Sequence, residues 1–241
     1  MNTDASTGFQ TDGFPPGRLS RGFHVGEKRP ALRPLAAVIL AAGRAARMGQ
    51  LKQLLPVDGR PMVRRVAEAV CAAGVDQVVV VVGAQAEAVA AALAGLPLEI
   101  VVNDAWAEGM STSLRAGLRA LRPAIKAALI VLADQPALTP GLLRTLIDRY
   151  RAGDAPIVVP RYRGKRGNPV LWDRAFFPEL LAIEGDRGGR DLLHRHRGQV
   201  AWVEVDDPAV LLDVDTRRDY ENLRRNDDNP ADAITPDPFD R

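Results

Sequence analysis

The chain has 241 residues, of which 46% are hydrophobic and 26% are charged, as in an ordinary globular protein. Its formal net charge of +2 argues against coating a polyanion, and its one cysteine, Cys71, cannot build a disulfide framework or a cysteine zinc site. No apolar run approaches the roughly 20 residues of a membrane helix, and residues 1–34 lack an apolar signal core. We therefore expect a cytoplasmic protein with neither nucleic-acid nor membrane partners.

The two ends of the chain differ in composition from its middle. Residues 1–34 carry Gly, Pro, Ser and Arg without a periodic apolar pattern, and residues 226–241 are acidic and contain several prolines. Both compositions are typical of disordered tails. The sequence therefore predicts one domain over residues 35–225, with a less regular subregion at about 160–205.

Within this domain, short apolar runs alternate with helical patterns. The first buried strand is predicted at Leu35–Leu40, and the helix that follows opens at Pro61 and closes at Gly74, the usual positions of these residues at helix ends. Gln77–Val82 shows no polar alternation, which indicates a parallel strand covered on both faces. A second helix ends at Gly95.

The same alternation continues along the rest of the chain. Thr139 and Pro140 predict a helix start, and Gly153 predicts the end of that helix. Thr216 and Asp219 have the spacing of a capping box at the start of a last helix. The other predicted elements are strands at Leu98–Val102, Ala127–Ala133, Ile157–Pro160, Pro169–Trp172 and Val200–Val205, and helices from about Ser111 and at Asp191–His194.

Strands and helices that alternate at this spacing predict a Rossmann-like α/β fold, which is an open, mostly parallel sheet with helices on both faces. Ligands of such sheets bind beyond the carboxyl ends of the strands. The residues that follow each strand are therefore the first candidates for chemistry.

The loop after the first strand combines small residues with cations. Ala41, Ala42 and Gly43 let a ligand approach the backbone closely, and Arg47 and Lys52 can pair with phosphate oxygens. The spacing matches neither the Rossmann GxGxxG pattern nor the P-loop pattern. Chemistry alone indicates a phosphate-binding loop, with a solvated basic loop as the alternative.

Three carboxylates follow later strands. Asp134 ends the apolar run Ala127–Ala133, and Asp213 and Asp215 are two residues apart, so they point the same way on an extended segment. Carboxylate oxygens are the ligands that Mg²⁺ prefers. The structural alternatives are a helix cap for Asp134 and a turn or the cap of the last helix for the other two.

The order of these motifs carries a family resemblance. Leu40–Pro56 resembles the LAAGxSxRMGxxKxLLP signature of nucleotidyltransferases, with Ala45 where the signature often has Ser. Together with four further stretches, it makes residues from about 35 to 222 similar to the molybdenum cofactor cytidylyltransferase group, which has a MobA-like NTP transferase domain. The further stretches are Val102–Leu114, Leu132–Pro136, Gly164–Leu171 with Gly185–Gly188, and Asp213–Thr216.

This resemblance implies a nucleotide-diphospho-sugar transferase-like fold and a Mg²⁺-dependent reaction. CTP and molybdopterin would give molybdopterin cytosine dinucleotide and pyrophosphate, with a molybdenum hydroxylase as a recipient of the product. Lys52, Arg47 and Asp134 would be catalytic, and Asp134 and Asp213 would bind the metal, with Asp215 as an alternate or a supporting residue.

The resemblance also implies two sets of binding residues. Family members that use CTP usually read LAAG at the first loop and those that use GTP read LAGG, so Ala42 favours CTP. The structural alternatives are turn and cap chemistry at Gly109 and Ser113, and a solvated hairpin tip at the basic loop Arg161–Gly167. The nucleotide set is Leu40, Ala41, Ala42, Gly43, Arg47, Lys52, Asn103, Gly109 and Ser113, and the acceptor set is Arg163, Gly167, Asn168, Pro169, Asp186 and Arg190.

Two other functions stay open at this point. The same fold could use GTP, or CTP with a different phosphate acceptor. A non-catalytic carrier could bind molybdopterin and deliver it to a partner enzyme, although the intact Lys52, Asp134 and Asp213 argue against a loss of catalysis.

Overall fold

The computed structural model of the chain describes Met1 and residues 33–43, 51–153, 155–185 and 189–228, with side chains up to Arg224. The chain divides into two units, Met1–Ala31 and Leu32–Arg241, and every described residue except Met1 belongs to the second unit. Two predicted site residues, Arg47 and Asp186, lie outside the described residues, as do most residues of the two predicted tails. In the described ranges, no helix is both long enough and apolar enough to cross a membrane.

A mostly parallel sheet forms the centre of the second unit. Its strand order is β10-β7-β9-β6-β1-β4-β5, with β8 paired on β7, and β2 and β3 form a separate hairpin. β9 runs antiparallel to both β6 and β7, and the four strands β1, β4, β5 and β10 have only parallel pairings. The predicted fold class is therefore confirmed. The strands are β1 (Leu35–Ala41), β2 (Pro56–Val57), β3 (Arg60–Pro61), β4 (Gln77–Val82), β5 (Glu99–Val102), β6 (Ala127–Leu132), β7 (Ile157–Tyr162), β8 (Lys165–Arg166), β9 (Val170–Asp173) and β10 (Val200–Glu204).

The helices begin where the sequence provides start signals. Pro61 directly precedes the first helix, and the Thr139 hydroxyl accepts a hydrogen bond of 3.2 Å from the Leu142 amide. The capping box is also present, because Asp219 Oδ2 accepts from the Thr216 amide at 2.7 Å and Thr216 Oγ1 accepts from the Asp219 amide at 3.2 Å. The α-helices are α1 (Met62–Cys71), α2 (Ala86–Ala92), α3 (Met110–Arg119), α4 (Pro140–Arg151), α5 (Phe177–Leu181), α6 (Arg190–Arg195) and α7 (Arg217–Asp228).

Two apolar cores lie on opposite faces of the sheet. Alternate residues of β1 point to opposite sides, so Ala37 and Ile39 pack in the core that contains α1 and α4, whereas Val38 packs in the core that contains α3. All six residues of β4 are buried, which agrees with a strand covered on both faces. Helix α3 approaches the sheet closely at Gly117, where a Cβ atom would collide with the Val38 side chain.

The carboxyl ends of the central strands meet at one edge. The Ala133 amide donates to the Leu40 carbonyl at 3.2 Å, which aligns the ends of β6 and β1. The Val214 amide donates to the Asp134 carbonyl at 2.9 Å, which holds the segment between Asp213 and Asp215 against the same edge. Residues that are far apart in the sequence therefore converge where an open α/β sheet binds its ligands.

Candidate active site

A cavity of about 430 Å³ opens at this edge, between the ends of β1 and β6 and the start of α3. We call it the β1–β6 crevice. Asp134 and Asp215 lie in its wall together with the apolar Trp106 and Leu132. Of the predicted nucleotide-binding residues, the wall contains Leu40, Ala42, Gly43, Lys52, Gly109 and Ser113.

Lys52 sits between two carboxylates of this crevice. It begins a short 3₁₀ helix, Lys52–Leu54, and its Nζ atom lies 2.6 Å from Asp134 Oδ2 and 2.9 Å from Asp215 Oδ1. Burial lowers the pKa of the ammonium, but the charges and hydrogen bonds of Asp134 and Asp215 outweigh that effect and leave the pKa raised. Lys52 is therefore a fixed positive charge at neutral pH.

Asp213 completes a group of three carboxylates around this lysine. Burial of the Asp213 carboxyl, and then the negative charges of Asp134 and Asp215, raise its pKa to about 6, against the weaker lowering effects of Gln135 and Lys52. The like charges of Asp134 and Asp215 thus crowd this carboxyl in addition to its burial. Such crowding favours a bound cation, because a cation relieves the repulsion.

The donor set fits a divalent metal ion. Within the described ranges, Asp134 Oδ1 is buried and has no hydrogen-bond partner, so one carboxylate oxygen has a lone pair available beside Lys52. Among the residues that the structure describes, no group of three or more His, Cys, Asp or Glu side chains is arranged to hold a metal by itself. A Mg²⁺ site requires fewer protein ligands, since the ion is usually bound by one or two carboxylates together with several waters and the phosphates of a substrate.

Asn103 occupies a different place from the one its sequence position suggests. The side chain is buried, and its Nδ2 atom donates to Thr112 Oγ1 at 2.8 Å and to Ser113 Oγ at 3.0 Å. Its Oδ1 atom accepts from the Ala105 amide at 3.1 Å. All of its polar atoms are thus engaged in holding the loop before α3, and Asn103 is not in the wall of the crevice.

Two buried glutamines near the carboxylates were not predicted as site residues. Gln53 lines the β1–β6 crevice, donates from Nε2 to the Gly43 carbonyl at 2.8 Å, and leaves its Oε1 atom without a partner. Gln135 is 0% exposed, donates from Nε2 to the Val210 carbonyl at 3.5 Å, and leaves Oε1 without a partner in the described part of the chain. Each follows a predicted catalytic residue directly, and this adjacency is the signal that could have indicated them.

A second cavity of about 640 Å³ adjoins the first along β9 and α6, and we call it the β9 cavity. It shares Leu40, Met110 and Leu132 with the β1–β6 crevice. Asn168 and Arg190 from the predicted acceptor set lie in its wall, together with Arg166 of the basic loop. The two cavities therefore form one continuous depression with a charged half and a mostly apolar half.

The other described members of the acceptor set lie outside this wall. The Arg163 guanidinium lies over the Tyr162 ring, 5.1 Å from its centroid. Gly167 packs against Val210, where a Cβ atom would come within 2.6 Å of the Val210 Cβ atom. The basic loop itself is a hairpin, because β7 extends to Tyr162 and pairs with β8.

An open α/β sheet with small residues, a buried lysine and clustered carboxylates at its carboxyl edge defines a nucleotide-binding enzyme that handles a polyphosphate with a metal ion. The family model of the MobA-like NTP transferase domain matches residues 37–200. The chain belongs to this family and is a nucleotidyltransferase.

Several known proteins are similar to the chain. Nicotine blue oxidoreductase of Paenarthrobacter nicotinovorans is 34% identical over 194 residues, which cover 76% of this chain and 92% of that protein. Purine catabolism protein PucB of Bacillus subtilis (strain 168) is 30% identical, covering 79% of this chain and 96% of that protein. The crystal structure of Rv0371c of Mycobacterium tuberculosis H37Rv in complex with manganese is 35% identical, with a TM-score of 0.69, covering 80% of this chain and 98% of that one.

Proposed function

We propose that the protein is a Mg²⁺-dependent cytidylyltransferase that joins CTP to molybdopterin and releases pyrophosphate. The observation that carries this proposal is the pair of adjoining cavities, which share Leu40, Met110 and Leu132. Transfer between two substrates requires two sites with a common opening, and only the β1–β6 crevice contains the lysine and carboxylates suited to a triphosphate.

In this proposal, the triphosphate lies along the small residues that end β1. The terminal phosphate oxygen of the acceptor attacks the α-phosphorus, and the bond from that phosphorus to the bridging oxygen breaks, so pyrophosphate leaves. Lys52 binds the phosphate oxygens and stabilises the charge that develops on them. Asp134, with Asp213 or Asp215, would hold a Mg²⁺ ion, which would neutralise part of the charge of the triphosphate. Manganese in the related Rv0371c crystal supports the use of a divalent ion.

The preference for cytosine rests on the width of the crevice at Ala42. Ala42 is 2% exposed and lines the crevice. It packs closely against Gly83, the residue after β4, because a Cβ atom on Gly83 would lie 2.9 Å from the Ala42 methyl group. This methyl group leaves less room for a purine. One methyl group distinguishes substrates by about 10- to 200-fold, which is enough for a clear preference.

The test is calorimetric titration of the protein with CTP and with GTP in the presence of Mg²⁺. We expect binding of CTP to be at least tenfold tighter than binding of GTP, within the range that one methyl group can give. Ala42→Gly should reduce this ratio, and Ala91→Gly, at an exposed position of α2, is the matched control. Preference for GTP by the parent protein would refute the choice of base and leave the transferase assignment standing.

A turnover assay tests the acceptor and excludes the carrier alternative. Pyrophosphate release from CTP should require molybdopterin, and equal release with a sugar phosphate would refute the proposed acceptor. A carrier would bind molybdopterin without any turnover of CTP. A molybdenum hydroxylase as recipient and a cytoplasmic location complete the proposal.

A further inference from the structure

The β9 cavity contains two arginines whose positive charges act on each other. Arg166 on β8 and Arg190 at the start of α6 both line the cavity, and they are close enough for their charges to repel. In the described parts of the chain, neither guanidinium makes a hydrogen bond or an ion pair with a carboxylate, and Asp213 attracts Arg166 only through its charge. Two guanidiniums in one cavity wall are suited to a dianion.

Ser111 provides a second, independent indication of a ligand in this cavity. It lies in the first turn of α3, is 1% exposed, and belongs to the cavity wall. Its Oγ atom is buried and has no hydrogen-bond partner among the residues that the structure describes. The Gly109 residue that precedes α3 offers no side-chain cap, so the positive end of this ten-residue helix is directed to the same region.

Apart from Asn168 and Asp191, the rest of the described wall is apolar. Leu114, Ile130, Val170 and Trp172 surround a space of about 640 Å³, which lies within the usual range for small-molecule sites. Gly189 makes room at this wall, since a Cβ atom there would lie 2.8 Å from the Trp172 ring. The cavity therefore combines a cationic, hydroxyl-bearing end with a flat apolar wall.

We propose that Arg166, together with Ser111 and Arg190, binds the phosphate of the acceptor, and that the acceptor is a phosphomonoester whose flat ring system lies against Trp172 and Leu114. This inference rests on the proposed function. It adds Arg166 and Ser111 as the residues that hold the attacking phosphate at the opening into the β1–β6 crevice. The shared wall residues Met110 and Leu132 mark that opening.

The experiment measures binding of a fluorescent probe, hydroxymethylpterin monophosphate, by anisotropy on the full chain. The same pterin without its phosphate serves as the second probe. The variants are Arg166→Ala, Arg166→Lys and Ser111→Ala, and Arg119→Ala is the matched control, because Arg119 is exposed at the far end of α3 and outside the cavity wall. CTP titration with Mg²⁺ is run on each variant.

We expect Arg166→Ala to weaken binding of the phosphorylated pterin by about 10- to 100-fold, the usual loss for a charge-assisted hydrogen bond. Arg166→Lys should recover part of the lost affinity for the phosphorylated pterin, and Ser111→Ala should weaken that affinity several-fold. Arg119→Ala should bind the probe as tightly as the parent. The dephosphorylated probe should be insensitive to Arg166, and CTP binding should be unchanged in every variant.

Three results would overturn the inference. They are equal binding of the phosphorylated probe by the parent and Arg166→Ala, equal binding of the two probes by the parent, and an equal loss in Arg119→Ala. CTP binding keeps the two proposals distinguishable. A parent that binds CTP but shows no phosphate-dependent pterin binding refutes this site alone, whereas a parent that binds no nucleotide refutes the proposed function.

Discussion

Replacement of Lys52 by methionine should have opposite effects on metal binding and on turnover. In the metal-free protein, the Lys52 ammonium neutralises Asp134 and Asp215 at 2.6 Å and 2.9 Å. The lysine therefore competes with a metal ion for the same carboxylates, and it must release them to contact a triphosphate. Methionine keeps the apolar stem and removes the charge, so Lys52→Met should bind Mn²⁺ alone more tightly and should turn over more slowly.

The magnitude follows from the exposure of the three side chains. Asp215 is 56% exposed, so its contact with Lys52 contributes little, whereas Lys52 and Asp134 are only 15% and 19% exposed. The Lys52–Asp134 hydrogen bond should therefore contribute about 1–2 kcal/mol. Its removal predicts Mn²⁺ binding roughly 5- to 30-fold tighter. Loss of the lysine from the transition state should lower kcat about 10²- to 10³-fold.

The assays are Mn²⁺ titration without nucleotide and pyrophosphate release with both substrates. Lys126→Met is the control, because Lys126 is an exposed lysine outside both cavities. Circular dichroism and the unfolding temperature confirm that each variant is folded. Mn²⁺ affinity that is unchanged or weaker in Lys52→Met would refute the competition, and turnover within threefold of the parent would refute the catalytic role.

Two further predictions concern stability. The folded-state pKa of Asp213 is about 6 and its ordinary value is 3.8, so the folded protein binds the extra proton and the metal-free protein should lose stability as pH rises from about 4 to 6. Asp213→Asn should remove this loss, so the unfolding temperature of the variant should exceed that of the parent by a margin that grows from pH 4 to pH 6. A margin that stays constant with pH would contradict the raised pKa of Asp213. Gly117→Ala should collide with Val38 and cost about 1–3 kcal/mol, which lowers the unfolding temperature by about 2–12 °C in calorimetry, and an unchanged temperature would contradict the close approach of α3.

The central strands could be predicted because a strand that is buried on both faces has a nearly continuous run of hydrophobic residues. The run of valines in Gln77–Val82 favours a covered strand, and the structure forms β4 at the same residues. The direction of a strand relative to its neighbours does not change this hydrophobic pattern. Pro169–Trp172 was predicted as a strand, but its antiparallel pairing with β6 and β7 depends on contacts between distant segments.

The wall of the β9 cavity shows a second limit, which arises from strand register. Successive side chains on a strand point to opposite faces, so an offset of one residue changes which cation faces a ligand. In the hairpin of β7 and β8, Tyr162 pairs with Lys165 and Arg161 pairs with Arg166. This register directs Arg166 into the cavity, while Arg163 at the turn lies over Tyr162. A basic loop in a sequence does not contain that information.

Asn103 illustrates a third limit, since a strand-end position does not say which groups will compete for a polar side chain. Thr112 and Ser113 take both amide hydrogens of Asn103, so its role is to shape the loop before α3. Lys52 and Asp134 were easier to predict as candidate site residues, because each follows a strand within a recognisable motif. In the structure, Lys52 Nζ lies 2.6 Å from Asp134 Oδ2.

The most direct test of the proposed function is the release of pyrophosphate from CTP as a function of molybdopterin and Mg²⁺ concentration. The proposed function predicts release that is saturable in molybdopterin, absent without Mg²⁺, and at least tenfold faster with CTP than with GTP, as one methyl group in the base pocket allows. Release that does not depend on molybdopterin, or no release from a folded protein that binds CTP and Mg²⁺, would contradict the assignment of the two cavities to a nucleotide and its acceptor.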